Sequence, residues 1–86
     1  MKTIWKYEIA VKDIFEILMP TGAEVFAVQT QRGKPTMWAT VDTDNPYVHR
    51  TFAVLGTGNP IPDFINKWDH LGTWQDGELV WHLFGV

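Results

Sequence analysis

Residues 23–43, AEVFAVQTQRGKPTMWATVDT, predict two strands joined by a tight polar turn. The side chains of a strand alternate between its two faces. In the second strand one face is apolar and consists of Met37, Ala39 and Val41. The opposite face has polar groups around a single tryptophan and consists of Thr36, Trp38, Thr40 and Asp42. The reversal is predicted at residues 31–35, where Gly33 can adopt positive φ and Pro35 cannot donate a ladder hydrogen bond.

The first strand of this hairpin carries apolar residues on both faces. Alternation assigns Phe26 and Val28 to one face and Val25 and Ala27 to the other. A helix is a poor alternative, because the period is two residues and the segment is rich in Val, Thr, Phe and Trp. The hairpin therefore predicts a sheet protein built around it.

Two strands are predicted ahead of this hairpin, at residues 3–11 and 14–19. In the first of them, aromatic and aliphatic residues alternate with Lys6 and Glu8, which is the pattern of a half-buried strand. Only the polar break at residues 12–13 separates the two strands. We therefore expect them to pair with each other as a second hairpin.

Three strands are predicted after the central hairpin, at residues 49–55, 70–75 and 78–84. Asp76-Gly77 is a strong signal for a two-residue turn between the last two. Pro62 suits the first position of a helix, so one short helix is predicted at residues 62–68. The closing strand is apolar on both faces, which indicates a central strand of a sandwich or a strand at a subunit interface.

Length and pattern together predict a single β domain over residues 1–86. We expect a mainly β fold, a small antiparallel β-barrel or sandwich of about seven strands with one short helical turn. The chain has no cysteine, so disulfides and thiolate metal sites are excluded and a reducing, intracellular setting is favoured.

Charge and hydropathy narrow the range of partners. The formal net charge of −3 argues against duplex nucleic acid, which requires clustered cations to neutralise its phosphates. The first residues alternate in polarity and lack the continuous apolar run of a signal peptide or transmembrane span, so no membrane association is expected. A local basic pocket for a small anion remains compatible with this composition.

Residue types suited to catalysis are sparse. The chain has no serine and no cysteine, so acyl transfer would need a threonine nucleophile. His49, His70 and His82 match no zinc motif. The aspartates fall in predicted turns, where backbone hydrogen bonding accounts for them. We predict no catalytic residue, no metal and no cofactor; a small hydrolase using turn carboxylates and histidines is the alternative.

A glycine-rich segment follows the strand at residues 49–55 and consists of Gly56, Thr57, Gly58 and Asn59. Two glycines after a strand can present backbone N–H groups to an anion, and a following helix start would add its positive end. The segment matches neither the dinucleotide-binding motif nor the P-loop, which requires a lysine after its second glycine. A plain turn between the strand and the helix is the alternative.

Aromatic and cationic residues supply the other candidates for ligand binding. Five tryptophans in 86 residues provide more indole surface than one small core readily encloses. Trp38 shares its predicted face with polar residues, which suits stacking on a base or on a partner's side chain. The candidate phosphate ligands are Arg50, Arg32 and Lys34, and the planar fork of arginine favours bidentate binding. A solvated strand edge or turn is the alternative for these cations.

Five segments, IWKYEI, MPTGAEV, VQTQRGKPTMWATVD, RTFAVLGTGNPIP and LVWHLF, together resemble a family of small proteins encoded mainly by bacteriophages and prophages. The resemblance covers nearly the whole chain, and it extends to the phage anti-CBASS sponge proteins. Those proteins assemble as oligomers and sequester the cyclic dinucleotide signals of bacterial immunity without cleaving them. The resemblance implies a homo-oligomer in the host bacterial cytoplasm, with a non-catalytic site for a dianionic, two-base ligand.

Placed in that context, Arg50 and the loop at residues 56–59 are the natural positions for phosphate, and Trp38 is the natural position for base stacking. These assignments follow from the chemistry of the Arg50 and Trp38 side chains and of the loop's backbone N–H groups, because the resemblance carries no residue-by-residue map. A second hypothesis is an inhibitor that binds a host defence protein directly, through exposed aromatic residues and acidic turns.

Overall fold

The computed structural model describes residues 1–86 as seven strands and one 3-10 turn. The strands are β1 (Lys2–Glu8), β2 (Ile14–Pro20), β3 (Glu24–Gln31), β4 (Lys34–Asp42), β5 (Tyr47–Gly56), β6 (Asp69–Asp76) and β7 (Leu79–Gly85). They form two antiparallel sheets, one with the order β1-β4-β3 and the other with the order β2-β5-β7-β6. The sheets pack as an open sandwich, which confirms the predicted fold class.

The expected pairing of the first two strands is wrong. β1 pairs along its whole length with β4, and β2 pairs with β5, so the two strands belong to different sheets. The connection between them carries the chain across the sandwich. Ile9 is buried there and its N–H donates to Pro35 O at 2.9 Å, which extends the pairing with β4 beyond the end of β1. The chain therefore follows β4 past the end of β1 instead of reversing to pair β1 with β2.

The central hairpin forms as expected, with Gln31 opposite Lys34. Arg32 and Gly33 occupy its turn with φ angles of 52° and 77°. Two consecutive residues with positive φ are typical of the type I′ turn that matches the twist of paired strands. The inner face of β4 is also confirmed, since Met37, Ala39 and Val41 are buried in the core.

One face assignment in β3 is wrong because the strand contains a β-bulge between Val25 and Ala27. The extra residue shifts the alternation, so Val25 and Val28 both pack against the core while Phe26 is 56% exposed. A bulge leaves two residues opposite one on the partner strand. Here Phe26 and Ala27 lie opposite Trp38 on the outer face of the three-stranded sheet.

The two sheets meet where β3 lies beside β6. Gly72 makes this approach feasible, because a Cβ at this residue would touch Val28 Cγ2 and lie 2.5 Å from Val28 Cβ. A second bulge in β6, between His70 and Gly72, accompanies the contact. The edges of β1 and β2 lie on the other side of the sandwich, where each strand has one hydrogen-bonded neighbour.

The segment between β5 and β6 contains less helix than expected. Only Asp63–Ile65 forms a 3-10 turn, instead of a helix over residues 62–68. No side chain caps the start of this turn, and Ile65 is its only buried residue. Short helices gain most of their stability from packing an apolar face, so one buried side chain does not sustain further turns. Phe64 and Trp68 still meet edge to face, with ring centroids 5.8 Å apart.

The final hairpin also forms, although its reversal falls one residue later than expected. Asp76 pairs with Leu79, so the turn consists of Gly77 and Glu78, with a φ of 60° at Gly77. β7 lies between β5 and β6. Of the two interpretations of a strand apolar on both faces, the central strand is therefore the one observed.

Tyr7 provides a stability prediction. Its hydroxyl is buried without a hydrogen-bond partner, and burial raises the pKa of the phenol, followed by a smaller effect of Tyr47. Because the folded state holds the phenol proton more tightly than the unfolded state, Tyr7 favours folding as long as the pH stays below about 10, the pKa of the unfolded phenol. Above that pH this stability is lost as the phenol of the folded protein ionises. We expect Tyr7→Phe to change the free energy of unfolding at pH 7 by less than about 1 kcal/mol, or to raise it, because the lost hydroxyl has no partner.

Urea denaturation of both proteins at pH 7 and pH 10.5 measures this effect. The native protein should lose more stability than Tyr7→Phe over that interval. A large loss of stability in Tyr7→Phe at pH 7 would mean that the hydroxyl has a bonding partner.

Candidate functional site

The candidate ligand residues are divided between the two sheets. Trp38 and Lys34 lie four residues apart on β4 and so share the outer face of the three-stranded sheet. Arg32 is in the turn that precedes this strand. Arg50 and the loop at residues 56–59 belong to β5 and its end, in the other sheet. One protomer therefore does not combine all of them into a single site.

The pairing of β4 with β1 and β3 determines which side chains surround Trp38 on the outer face. Trp38 is in the central strand of its sheet, opposite Lys6 on β1 and Ala27 on β3. The bulge adds the exposed ring of Phe26 on the same side. We call Lys6, Phe26, Lys34, Thr36 and Trp38 the Trp38 face. It presents two aromatic rings and two ammonium groups on one sheet surface.

A polar depression of about 200 Å³ lies at one end of the Trp38 face. Its lining residues are Lys6, Glu8, Gln31, Arg32, Lys34 and Thr36. Three cations and one carboxylate give it a positive balance. Lys6 Nζ donates to Gln31 Oε1 at 2.9 Å, and Lys34 Nζ is 3.9 Å from Glu8 Oε1. These exposed contacts are weak, so the ammonium groups are available to an anion.

Sequence reasoning missed Lys6 and Phe26 as members of this face. Alternation places Lys6 on the polar side of its strand, but its position beside Trp38 depends on the pairing of β1 with β4. Phe26 reaches the outer face because of the bulge. The only sequence signal for Lys6 was that it is a charged residue on an alternating strand, and that signal does not specify which residue of another strand lies beside it.

Arg50 has an internal role. Its Nη1 donates to Ala23 O at 2.8 Å, and its Nε donates to Val86 O at 3.1 Å. The guanidinium also lies 5.7 Å from the ring centroid of Phe52. Arg50 therefore connects β5 to the start of β3 and to the last residue. These contacts use two of its donor directions and favour a structural role over phosphate binding.

Two backbone N–H groups of the glycine-rich loop already donate hydrogen bonds within the protein. Thr57 N–H donates to Val80 O at 3.0 Å, and Asn59 N–H donates to Gly56 O at 3.1 Å. These bonds favour the plain turn over an anion-binding nest, because amides engaged internally do not point to a ligand. Beside the loop is a cavity of about 300 Å³. Its other lining residues are Leu55, Ile61, His82 and Phe84.

Two of the three histidines meet on the outer side of the four-stranded sheet. His70 Nε2 and His82 Nδ1 both lie 3.0 Å from Thr73 Oγ1, and His82 Nε2 lies 2.8 Å from Thr57 Oγ1. The ring centroids of the histidines are 6.1 Å apart. No three His, Cys, Asp or Glu side chains cluster closely enough to hold a metal ion. The hydrogen bonds instead connect the glycine-rich loop to β6 and β7.

Asp42 and Asp44 share one cationic partner. Both accept hydrogen bonds from the Met1 ammonium, at 3.2 and 2.7 Å. The pKa of the Asp42 carboxyl lies below its usual value, because the carboxylate accepts the Asp44 N–H and lies against the Met1 ammonium. A carboxylate held ionised in this way is a weaker base. This arrangement favours a structural role in the turn between β4 and β5.

The fold and the Trp38 face define a small β-sandwich with an aromatic and cationic sheet surface. The chain belongs to the family described as a domain of unknown function, DUF7352, whose profile matches residues 1–86. Searches of curated proteins and of solved structures find no match. No helix has the length and apolar character that a bilayer crossing requires.

Proposed function

We propose that this protein binds cyclic dinucleotides without cleaving them, as a homo-oligomeric sponge that lowers the free concentration of an immune signal. The observation that carries the proposal is the Trp38 face, which combines two aromatic rings with Lys6, Lys34 and the neighbouring Arg32. The resemblance to phage sponge proteins supports the same function. It also supports immune evasion in the cytoplasm of the host bacterium.

The chemistry of the Trp38 face suits a ligand with bases and phosphates. Stacking of a base on an aromatic side chain contributes about 1–3 kcal/mol and tolerates different bases. Lysine and arginine supply the positive charge that phosphate requires, and arginine can donate two parallel hydrogen bonds. The protein's residues bind and orient the ligand in this proposal, and no residue acts on its bonds.

A thermal-shift panel of cyclic dinucleotides tests this proposal. A ligand that binds only the folded state raises the melting temperature as its concentration increases. We expect at least one member of the panel to stabilise the native protein. Trp38→Ala should weaken that binding roughly 10-fold or more, because a stacking platform is lost. Chromatography of the recovered ligand should show it unchanged.

Trp68→Ala is the matched control, because Trp68 is a partly exposed tryptophan that lies outside the Trp38 face and contacts Phe64. It should retain the affinity of the native protein. Absence of stabilisation by every dinucleotide at high excess would refute the proposal. Equal losses in the two variants would place the ligand elsewhere.

Exposed aromatic surface near the 3-10 turn supports a second candidate function, direct inhibition of a host defence protein. Ile61 and Phe64 are each 55% exposed, and Phe64 packs against Trp68. Exposed aromatic residues of this kind are common anchors of protein interfaces. Pull-down from a host lysate should then recover one stoichiometric protein, and Phe64→Ser should abolish its capture. The sponge proposal predicts no such partner.

A further inference from the structure

The outer edge of β1 has unpaired backbone groups. β1 has β4 as its only hydrogen-bonded neighbour. Ile9 N–H donates to Pro35 O at 2.9 Å, and Thr43 N–H donates to Met1 O at 2.8 Å, so the odd-numbered residues direct their backbone groups towards β4. In an antiparallel ladder the alternate residues point the other way. Lys2, Ile4, Lys6 and Glu8 therefore present their N–H and C=O groups at the edge.

The other sheet edges are less suitable for pairing. β3 and β6 lie against each other at the contact of Val28 with Gly72. In β2 the even-numbered residues point outward, because Val54 N–H donates to Asp13 O at 3.4 Å. Pro20 is one of those outward residues and has no N–H, which is a common way to protect an edge strand. β1 contains no proline and no bulge.

We propose that β1 pairs antiparallel with β1 of a second copy of this chain, with Trp5 on the two-fold axis. In this register Lys2 lies opposite the partner's Glu8, and Ile4 lies opposite the partner's Lys6. Even-numbered residues face even-numbered residues, which is the arrangement that lets the outward backbone groups form hydrogen bonds. All seven residues of β1 take part.

Side chains favour this register as well. Lys2 and Glu8 are at opposite ends of the strand's outer face, so the two-fold axis creates two Lys–Glu pairs. Opposite charges directly across a ladder stabilise it and like charges destabilise it, so these two pairs favour this register over its alternatives. Trp5 lies on the inner face and meets its symmetry mate as a non-hydrogen-bonded pair, where side chains approach most closely. Aromatic cross-strand pairs are among the more favourable ones.

The resulting dimer joins two three-stranded sheets into one sheet of six strands. Its outer surface would carry two Trp38 faces, with Lys6 of each copy near the axis. This inference deepens the oligomeric part of the proposed function. It concerns the free protein and does not depend on the identity of the ligand.

Charge reversal tests the proposed register in the absence of ligand. Light scattering coupled to size-exclusion chromatography should show two chains per particle for the native protein at about 100 μM. Lys2→Glu or Glu8→Lys alone places like charges together twice and should shift the particle towards one chain. The combined Lys2→Glu and Glu8→Lys variant restores opposite charges and should restore the dimer. Lys12→Glu, outside the strands, is the control and should remain dimeric.

Ile4→Pro provides an independent test, because it removes an outward N–H from an edge strand, where proline is tolerated. It should yield a folded single chain, with folding verified by near-ultraviolet circular dichroism. A native protein that stays a single chain at 500 μM would overturn the proposal, as would single charge variants that dimerise as well as the native protein. A single-chain variant that still binds a dinucleotide would separate this interface from the ligand site.

Discussion

Gly72→Ala is expected to lower the free energy of unfolding by about 2–3 kcal/mol, within the range for overpacking a tight contact. The new Cβ would touch Val28 Cγ2 and lie 2.5 Å from Val28 Cβ. Because the second of these atoms is bonded to the backbone of β3, a rotamer change cannot relieve the clash. The two sheets would have to separate where they meet. Urea denaturation followed by tryptophan fluorescence measures the loss directly.

Two further variants test whether the loss in Gly72→Ala comes from the contact with Val28. Gly56→Ala should lose less stability, because its new Cβ would meet the flexible end of Asn59 at 3.1 Å and the ring of Trp81 at 3.3 Å. The double variant Gly72→Ala with Val28→Gly should be more stable than the sum of the single changes predicts, because the clashing side chain is gone. Gly72→Ala with unchanged stability would contradict this account of how the sheets meet.

Arg50→Ala is expected to lower the free energy of unfolding by about 2 kcal/mol, since hydrogen bonds from a charged donor contribute about 1.5–3 kcal/mol. The substitution removes the donors to Ala23 O and Val86 O. It also removes the cation above the ring of Phe52. Chemical denaturation at pH 7 gives the difference.

Arg50→Lys should restore only part of this stability, because one ammonium group does not reproduce the fork that reaches two carbonyl oxygens. Lys67→Ala removes an exposed cation outside the strands and should leave stability unchanged. Unchanged stability in Arg50→Ala, combined with lost dinucleotide binding, would contradict the structural role of Arg50. It would support the phosphate-binding role that the sequence suggested.

Local sequence signals predicted the strands and the central hairpin well. Alternation identified the buried face of β4, and Gly33 marked the turn, because both signals depend on residues within a few positions of each other. The partner of β1 depends instead on residues 28 to 40 positions away, and this pairing competes with a nearby strand of similar pattern. The bulge in β3 adds a single residue to the strand, and the alternating pattern of apolar residues does not reveal it.

The candidate site was only partly predictable from the sequence. Period two alone places Trp38 and Lys34 on one face. The role of Arg50 was not predictable, since its two acceptors lie 27 and 36 residues away in sequence. Sequence order also suggested a site that joins Arg50 to the glycine-rich loop. Between Arg50 and Gly56, however, the strand rises about 20 Å at roughly 3.3 Å per residue, so the two lie well apart.

Native mass spectrometry of the protein purified from cells with an active cyclic-nucleotide defence system shows directly whether the protein holds dinucleotides. We expect an oligomer that carries extra mass equal to whole dinucleotides, and we expect Trp38→Ala purified from the same cells to lack that mass. An oligomer without added mass in cells that contain the signal would contradict the claim that this protein is a nucleotide sponge.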